Sequence, residues 1–351
     1  MNCSTTLPAP LFITSALHRQ PIAAPPHPLA VLRAPLAEDL ARALGWLRDH
    51  DCQPAPQANQ NALEQYHSSA YLEALARAEA AQDLPLADKQ RFGIGVESNP
   101  IHPAVFRRPA VAAGGAMLAA ELTAAGGAVF FPFGGNHHAM PTRASGFCYI
   151  NDAVLGLMRW RALGLGRLAY VDFDAHHGDG VEHAFANDSD ILTISMHEAG
   201  LWPRTGTASD PAHAVLNFPV PAGFDDVGFG HLLHQTIIPA LIAHQPEAIM
   251  LLIGADALAD DPMARLALSN RALWRAVAAI RPLCPRLIVL GGGGYNPYAV
   301  ARCWAGIWGV LTDQPIPTSL PKSALDVLAG IRYFRAEGRN PLQRWLTTLA
   351  D

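Results

Sequence analysis

The segment Asp172-Phe173-Asp174-Ala175-His176 sets two carboxylates and an imidazole at alternate positions. Alternate residues of an extended chain share a face, so Asp172, Asp174 and His176 are predicted to point the same way. A further acid, Asp256, ends a second apolar run. Two carboxylates and one imidazole make a three-ligand site with a position left for water or substrate. Zn²⁺ accepts that mixture, and its oxygen content also admits Fe²⁺ or Mn²⁺. Taken alone, Asp174 as a helix cap and His176 as a core histidine would be the preferred reading. Asp256 at a second strand end tips the reading toward a metal. His137 and His138 are adjacent. Beside a metal, such a pair can supply a general base and an electrostatic partner. Each ring needs a carboxylate to fix its tautomer, and Asp172 and Asp179 are spare acids nearby. Gly291 to Gly294 precede Tyr295. The run has neither the glycine spacing of a dinucleotide site nor a P-loop lysine. Its glycines would instead let backbone approach a ligand and bring a phenol that donates to an oxyanion.

These groups stand at the ends of short apolar runs, at about 128–133, 167–174, 191–198, 248–258 and 286–290. Helical patterns alternate with the runs at 109–127, 151–163, 227–243, 269–280 and 297–311. Continuous apolar runs between helices predict buried parallel strands and an α/β class. In such sheets ligands bind beyond the carboxyl ends of the strands, where the titratable groups gather. Upstream, the first sixty residues are rich in Ala and Pro. A helix is predicted from Glu38 to Asp49, with Leu40, Leu44 and Leu47 near one face. A helical pattern returns over 62–81, and a polar stretch at 82–91 leads into a Gly- and Pro-containing loop. No internal repeat is evident, and one domain over 1–351 is expected.

Half of the 351 residues are hydrophobic and 16% are charged, against about 25% charged in a typical soluble domain. That composition excludes disorder for the bulk of the chain. The net charge of −5 and the absence of a basic block argue against nucleic acid as a partner. Five cysteines, at 3, 52, 148, 284 and 303, form no CxxC pair and are expected to be reduced thiols. No apolar run reaches the ~18 residues of a membrane span. The N-terminus shows no cationic leader pattern, so a cytoplasmic protein with no membrane partner is expected.

Five motifs carry a resemblance: GGNHHAMPTRASGFCYINDAVLG, LAYVDFDAHHGDGVEHAF, LTISMHE, GADALADDP and GGGGYNPYAVARCW. Over about residues 62–312 the chain resembles the histone deacetylase family, which includes bacterial acetoin-utilisation proteins and acetylpolyamine amidohydrolases. The resemblance implies an arginase/deacetylase-like fold with a parallel sheet of about eight strands. It implies one Zn²⁺ held by Asp174, His176 and Asp256. It makes His137 and His138 the catalytic tandem, oriented by Asp172 and Asp179, and Tyr295 the transition-state tyrosine. Gly146, Phe147 and Trp202 would line a substrate channel, with Trp202 in place of the commoner Phe, and Met263 would sit at its rim. A structural K⁺ would use Asp172, Asp174, His176, Ser195 and Met196. Glu97 stands where many members have an Asp that holds the substrate backbone. The implied reaction is hydrolysis of the acetyl amide of acetyl-lysine in a protein or peptide. Acetylpolyamines or another small amide are the alternative substrate, and a catalytically silent binding protein is the alternative class.

Overall fold

The computed structural model describes residues 7–22, 27–96, 98–335, 338 and 340–351. Among them, eight strands form one sheet: β1 (Leu11–Thr14), β2 (Cys52–Pro54), β3 (Gly127–Phe131), β4 (Leu168–Asp172), β5 (Ile191–Glu198), β6 (Val215–Val220), β7 (Ala248–Leu252) and β8 (Arg286–Leu290). Their order is β2-β1-β3-β8-β7-β4-β5-β6, and every pairing is parallel. Every residue of β3, β4, β5 and β7 is buried. This is why these strands read as continuous apolar runs rather than alternating ones. Helices Arg33–Ala43, Asn270–Ile280 and Pro297–Leu311 pack together, as do Arg107–Thr123 and Asp152–Ala162. In the first group Trp304 and Trp308 are fully buried, and each satisfies its indole N–H on a backbone carbonyl, Ile253 and Trp46 respectively, at 2.9 Å.

Three strands escape the sequence reading. β1 is only four residues long, too short to show a period. β2 and β6 are the two sheet edges and contain Pro54 and Pro219. A proline is tolerated at an edge, where its missing N–H breaks no ladder, but in sequence it speaks against a strand. The first long helix is Arg33–Ala43 rather than 38–49. Pro35 falls in its first turn, where proline costs nothing, and Gly45 leaves the helix in the left-handed region. The polar stretch contains a helix, Leu86–Phe92, whose buried Phe92 anchors it. The pattern at 62–81 divides into Gln60–Leu63 and Ser69–Ala81. Among the described residues no helix is long and apolar enough to cross a membrane. Cys52, Cys148, Cys284 and Cys303 are free thiols, and Cys3 lies outside the described residues.

The register levels the strand ends. Asp172 of β4 pairs with Ser195 of β5 and Leu252 of β7, Leu252 pairs with Leu290 of β8, and Leu290 pairs with Phe131 of β3. The segments 132–138, 173–178, 253–256 and 291–295 therefore leave the sheet side by side at one edge. Asp172, Asp174 and His176 are presented by a turning chain rather than by the extended one expected. The strand stops at Asp172. Its Oδ1 then accepts the Asp174 N–H, and Asp174 Oδ1 accepts the His176 N–H, each at 2.9 Å. These side-chain-to-backbone turns replace the extended chain.

Candidate active site

Asp174, His176 and Asp256 each offer one ligand-type atom, and these atoms lie within 4.8 Å of one another. His176 Nδ1 is 3.1 Å from Asp174 Oδ1 and 3.0 Å from Asp256 Oδ2. The remaining carboxylate oxygens are tied to backbone: Gly293 N–H donates to Asp174 Oδ2 at 2.7 Å and Ala175 N–H to Asp256 Oδ1 at 3.0 Å. Both carboxyls are buried. Burial and the charge of Asp174 push Asp256 up to about 6. Burial alone would lower His176, but its hydrogen bonds to Asp174 and Asp256 raise it well above the ordinary range. Two carboxylates closed into one apolar site call for a positive charge between them. The N,O,O donor set suits Zn²⁺, Fe²⁺ or Mn²⁺.

The tandem histidines lie beside this triad with ring centroids 3.9 Å apart and planes tilted by 49°. His137 Nδ1 is 2.7 Å from Asp172 Oδ2, and His138 Nδ1 is 2.7 Å from Asp179 Oδ1. Their surroundings drive them apart. Burial opposes charge on His137, but Asp172 and Asp174 overcome it and raise the ring to about 9. Burial and the neighbouring His137 bring His138 down to about 4. The loop carrying them is held by Asn151 and Asp152, which sequence reasoning missed. Asp152 accepts the backbone N–H groups of Gly135 and Asn136 and the Asn136 amide, at 2.7–2.8 Å. Asn151 donates to the Ala139 carbonyl while capping helix Asp152–Ala162.

Tyr295 is set by its neighbours on both sides. Asn296 caps helix Pro297–Leu311, with Pro297 in the first turn. Buried Asp261 accepts the Tyr295 N–H at 2.6 Å and the Met263 N–H at 2.9 Å. Burial raises the Tyr295 phenol well above its ordinary range, so the hydroxyl keeps its proton. Arg33, also unforeseen, donates to the Gly292 carbonyl at 3.0 Å and lies 5.7 Å from the Tyr295 ring centre. In sequence Asp261 had a signal, since it follows the strand-end acid in ADDP, whereas Arg33 had none.

Phe147, Trp202, Gly146 and Met263 do come together. With Tyr295 and the triad's His176 they line an open cavity of about 220 Å³. Trp202 packs edge-on against His138 at 4.6 Å. Gly146 and Phe147 both have positive φ, +52° and +67°. A Cβ on Gly146 would fall 2.4 Å from the Trp202 ring, so the position needs glycine twice over. Of the five residues expected at the K⁺ site, strand pairing sets Asp172 beside Ser195, with Met196 buried next to it, while Asp174 and His176 follow in the turn after Asp172. Glu97 lies outside the described residues.

An all-parallel eight-stranded sheet with a carboxylate-rich triad and a histidine tandem at its C-terminal edge defines an α/β protein with a metalloenzyme-type site. The histone deacetylase domain matches residues 27–311, and the chain belongs to the histone deacetylase family. It is 31% identical over 299 residues to histone deacetylase 8 of Xenopus tropicalis, covering 82% of this chain and 80% of that one. It is 34% identical over 321 residues to histone deacetylase 9 of Arabidopsis thaliana, covering 88% and 74%. Among solved structures, an HDAC homolog from Aquifex aeolicus superposes with a TM-score of 0.92 at 30% identity, covering 98% and 95% of the two chains. An HDAC homolog complexed with SAHA gives 0.91 at the same identity and coverage.

Proposed function

We propose that the chain is a zinc-dependent deacetylase that hydrolyses acetyl-lysine in proteins or peptides. The observation that carries the reading is the tandem itself. Two adjoining histidines, each bonded at Nδ1 to its own carboxylate, are driven in opposite directions beside a site fit for a divalent cation. Asp174, His176 and Asp256 would hold that cation, which as a Lewis acid polarises the acyl carbonyl and acidifies water. His138, neutral, takes the proton of the attacking water and returns one to the leaving amine. His137, cationic, offsets the negative charge that develops. Tyr295 donates its hydroxyl proton in a hydrogen bond to the tetrahedral oxyanion. Asp172 and Asp179 fix the two tautomers. The C–N bond breaks, and the products are a free amine and acetate.

The Phe147–Trp202 channel suits a lysine stem, whose methylenes bury against aromatic walls. Arg332 and Arg335 line a second cavity beside Tyr295, a cationic flank that disfavours polyamines over a peptide. Glu97 is assigned, on the family resemblance, as an acceptor for peptide N–H groups. Structural K⁺ at the Asp172–Met196 cluster rests on the same resemblance. The test is a side-by-side determination of kcat/KM for an acetyl-lysine peptide, an acetylpolyamine and acetyl-lysine itself, each with and without chelator. The peptide is expected to be the preferred substrate and chelator to abolish turnover. A polyamine preference would replace the substrate assignment, and no turnover of any would reject the activity.

A further inference from the structure

Adjoining the aromatic channel at the triad, a cavity of about 70 Å³ is lined at one end by His137, Asp174, His176 and Tyr295 and also by Arg33, Arg108 and His18. It adjoins a second cavity of about 70 Å³ that shares Arg33, Arg108, His18 and Asn136. Channel and inner cavity meet at His138, Gly146, Phe147, His176 and Tyr295. An acyl group that enters by the channel and presents its carbonyl at the triad therefore points its tail toward the arginines.

Two guanidiniums face this space without an ion-pair partner among the described residues. Among those residues Arg33 donates only to the Gly292 carbonyl, and Arg108 only to the Gln20 and His18 carbonyls. Among the described residues no carboxylate lies within 4.0 Å of either group. Burial and the charge of Arg33 bring Arg108 down to about 10. Burial together with Arg108 and Arg33 holds His18 far below its ordinary range, so that ring adds no negative balance. His102 is likewise lowered to about 4 by burial and Arg108, Cys148 and Tyr149 are raised by burial, and the carboxylate of the wall, Asp174, is engaged by His176 and the Gly293 N–H at the triad end. Partly buried arginines without a partner are costly, and a cavity between them is where an anion would recover the cost. The guanidinium fork matches a carboxylate in two-point geometry.

We propose that Arg33 and Arg108 form a carboxylate pocket for the acyl tail, so that the enzyme accepts lysine amides of short dicarboxylic acids such as succinate. This inference rests on the amide-hydrolase reading above. At the 10–15 Å³ that one water needs, 70 Å³ takes about five water-sized groups. A succinyl group adds four heavy atoms to acetyl. The chemistry is unchanged: water oxygen bonds the acyl carbon, the C–N bond breaks, the amine gains the proton, and succinate leaves.

The experiment compares three peptides that differ only in the lysine acyl group, acetyl, butyryl and succinyl, with the full chain as isolated. Butyryl matches the succinyl chain length without its charge. The succinyl-to-butyryl ratio of kcat/KM is expected to be at least tenfold, and Arg108→Met is expected to reduce it to near one. Arg108→Lys, which keeps the charge but loses the fork, serves as a second variant and is expected to cut the ratio by roughly threefold. A wild-type ratio near one or below overturns the pocket, as does an unchanged ratio in a folded Arg108→Met chain. A cavity that merely receives released acetate would also give a ratio near one. If the wild-type chain hydrolyses none of the three, the amide-hydrolase reading fails. The same intact peptides are then titrated by fluorescence polarisation, and tenfold tighter succinyl binding keeps the pocket while equal binding removes it.

Discussion

Gly293→Ala probes the proposed metal centre without replacing a ligand residue. Gly293 sits in the loop after β8 with its N–H on Asp174 Oδ2. A Cβ there would lie 2.0 Å from Asp256 Oδ2 and 2.8 Å from Asp174 Oδ2. No heavy-atom pair tolerates the first distance, so at least one carboxylate must swing away. The φ of Gly293 is not in the left-handed region, so alanine costs little backbone strain and the damage is confined to the donor set. Loss of ligand positioning from outside the coordination sphere typically weakens metal affinity 10–100-fold, or about 1.4–2.7 kcal/mol. The assay is metal affinity by competition with a chromophoric chelator, with thermal unfolding of the apo chain as the fold control. Gly230→Ala is the matched control. Nothing lies within 4 Å of its Cβ, and in helix Asp226–Leu232 alanine is the better helix former. Affinity within twofold of wild type for Gly293→Ala would refute the placement of the metal between Asp174 and Asp256.

Three further outcomes are expected. His138→Ala should lose about 10²–10⁴-fold in kcat, as for removal of a general base, and more than His137→Ala; steady-state kinetics giving equal, small losses would reverse the assignment. Tyr295→Phe should lower kcat by about 10²-fold or more with little change in KM; a change confined to KM would make the phenol a binding group. Acid should destabilise the fold through His67, which burial lowers to about 4. The unfolded ring takes its proton first, near the ordinary 6.5, so this contribution is complete above that pH and is lost between about 6.5 and 4. Unfolding free energies from urea titration at pH 7 and pH 5 should differ by about 2 kcal/mol more in wild type than in His67→Gln, and identical pH dependence in the two chains would count against a neutral buried ring.

The sheet and the reactive edge are legible because their signals are local. Val129 to Phe131, Ala169 to Val171 and Ile249 to Leu252 are buried on both faces, so each strand appears as an unbroken apolar run with its titratable residue just beyond. Leu11–Thr14, Cys52–Pro54 and Val215–Val220 carry no such mark, two of them being edges where proline and exposure are tolerated. The turns after Asp172 were not legible, because period 2 holds only while the strand lasts and the strand ends on that residue. Trp202 and Met263 are invisible to pattern reasoning: they sit in irregular loops, and only the family resemblance pointed to them. Arg33 and Arg108 are separated by 75 positions (108 − 33) and each follows the start of a helix where arginine is unremarkable. Their approach is set by how the N-terminal segment lies over the sheet edge.

The central claim is that amide hydrolysis depends on a divalent cation held by Asp174, His176 and Asp256. One experiment addresses it directly: wild-type chain is assayed on a fluorogenic acetyl-lysine peptide through a cycle of chelation, dialysis and stepwise Zn²⁺ return, with metal content measured at each point. The account predicts that activity vanishes on chelation and returns in proportion to metal, saturating at one equivalent per chain, and that Asp256→Ala neither retains that equivalent nor recovers. Undiminished hydrolysis by metal-free chain, or full metal occupancy in Asp256→Ala, would contradict it.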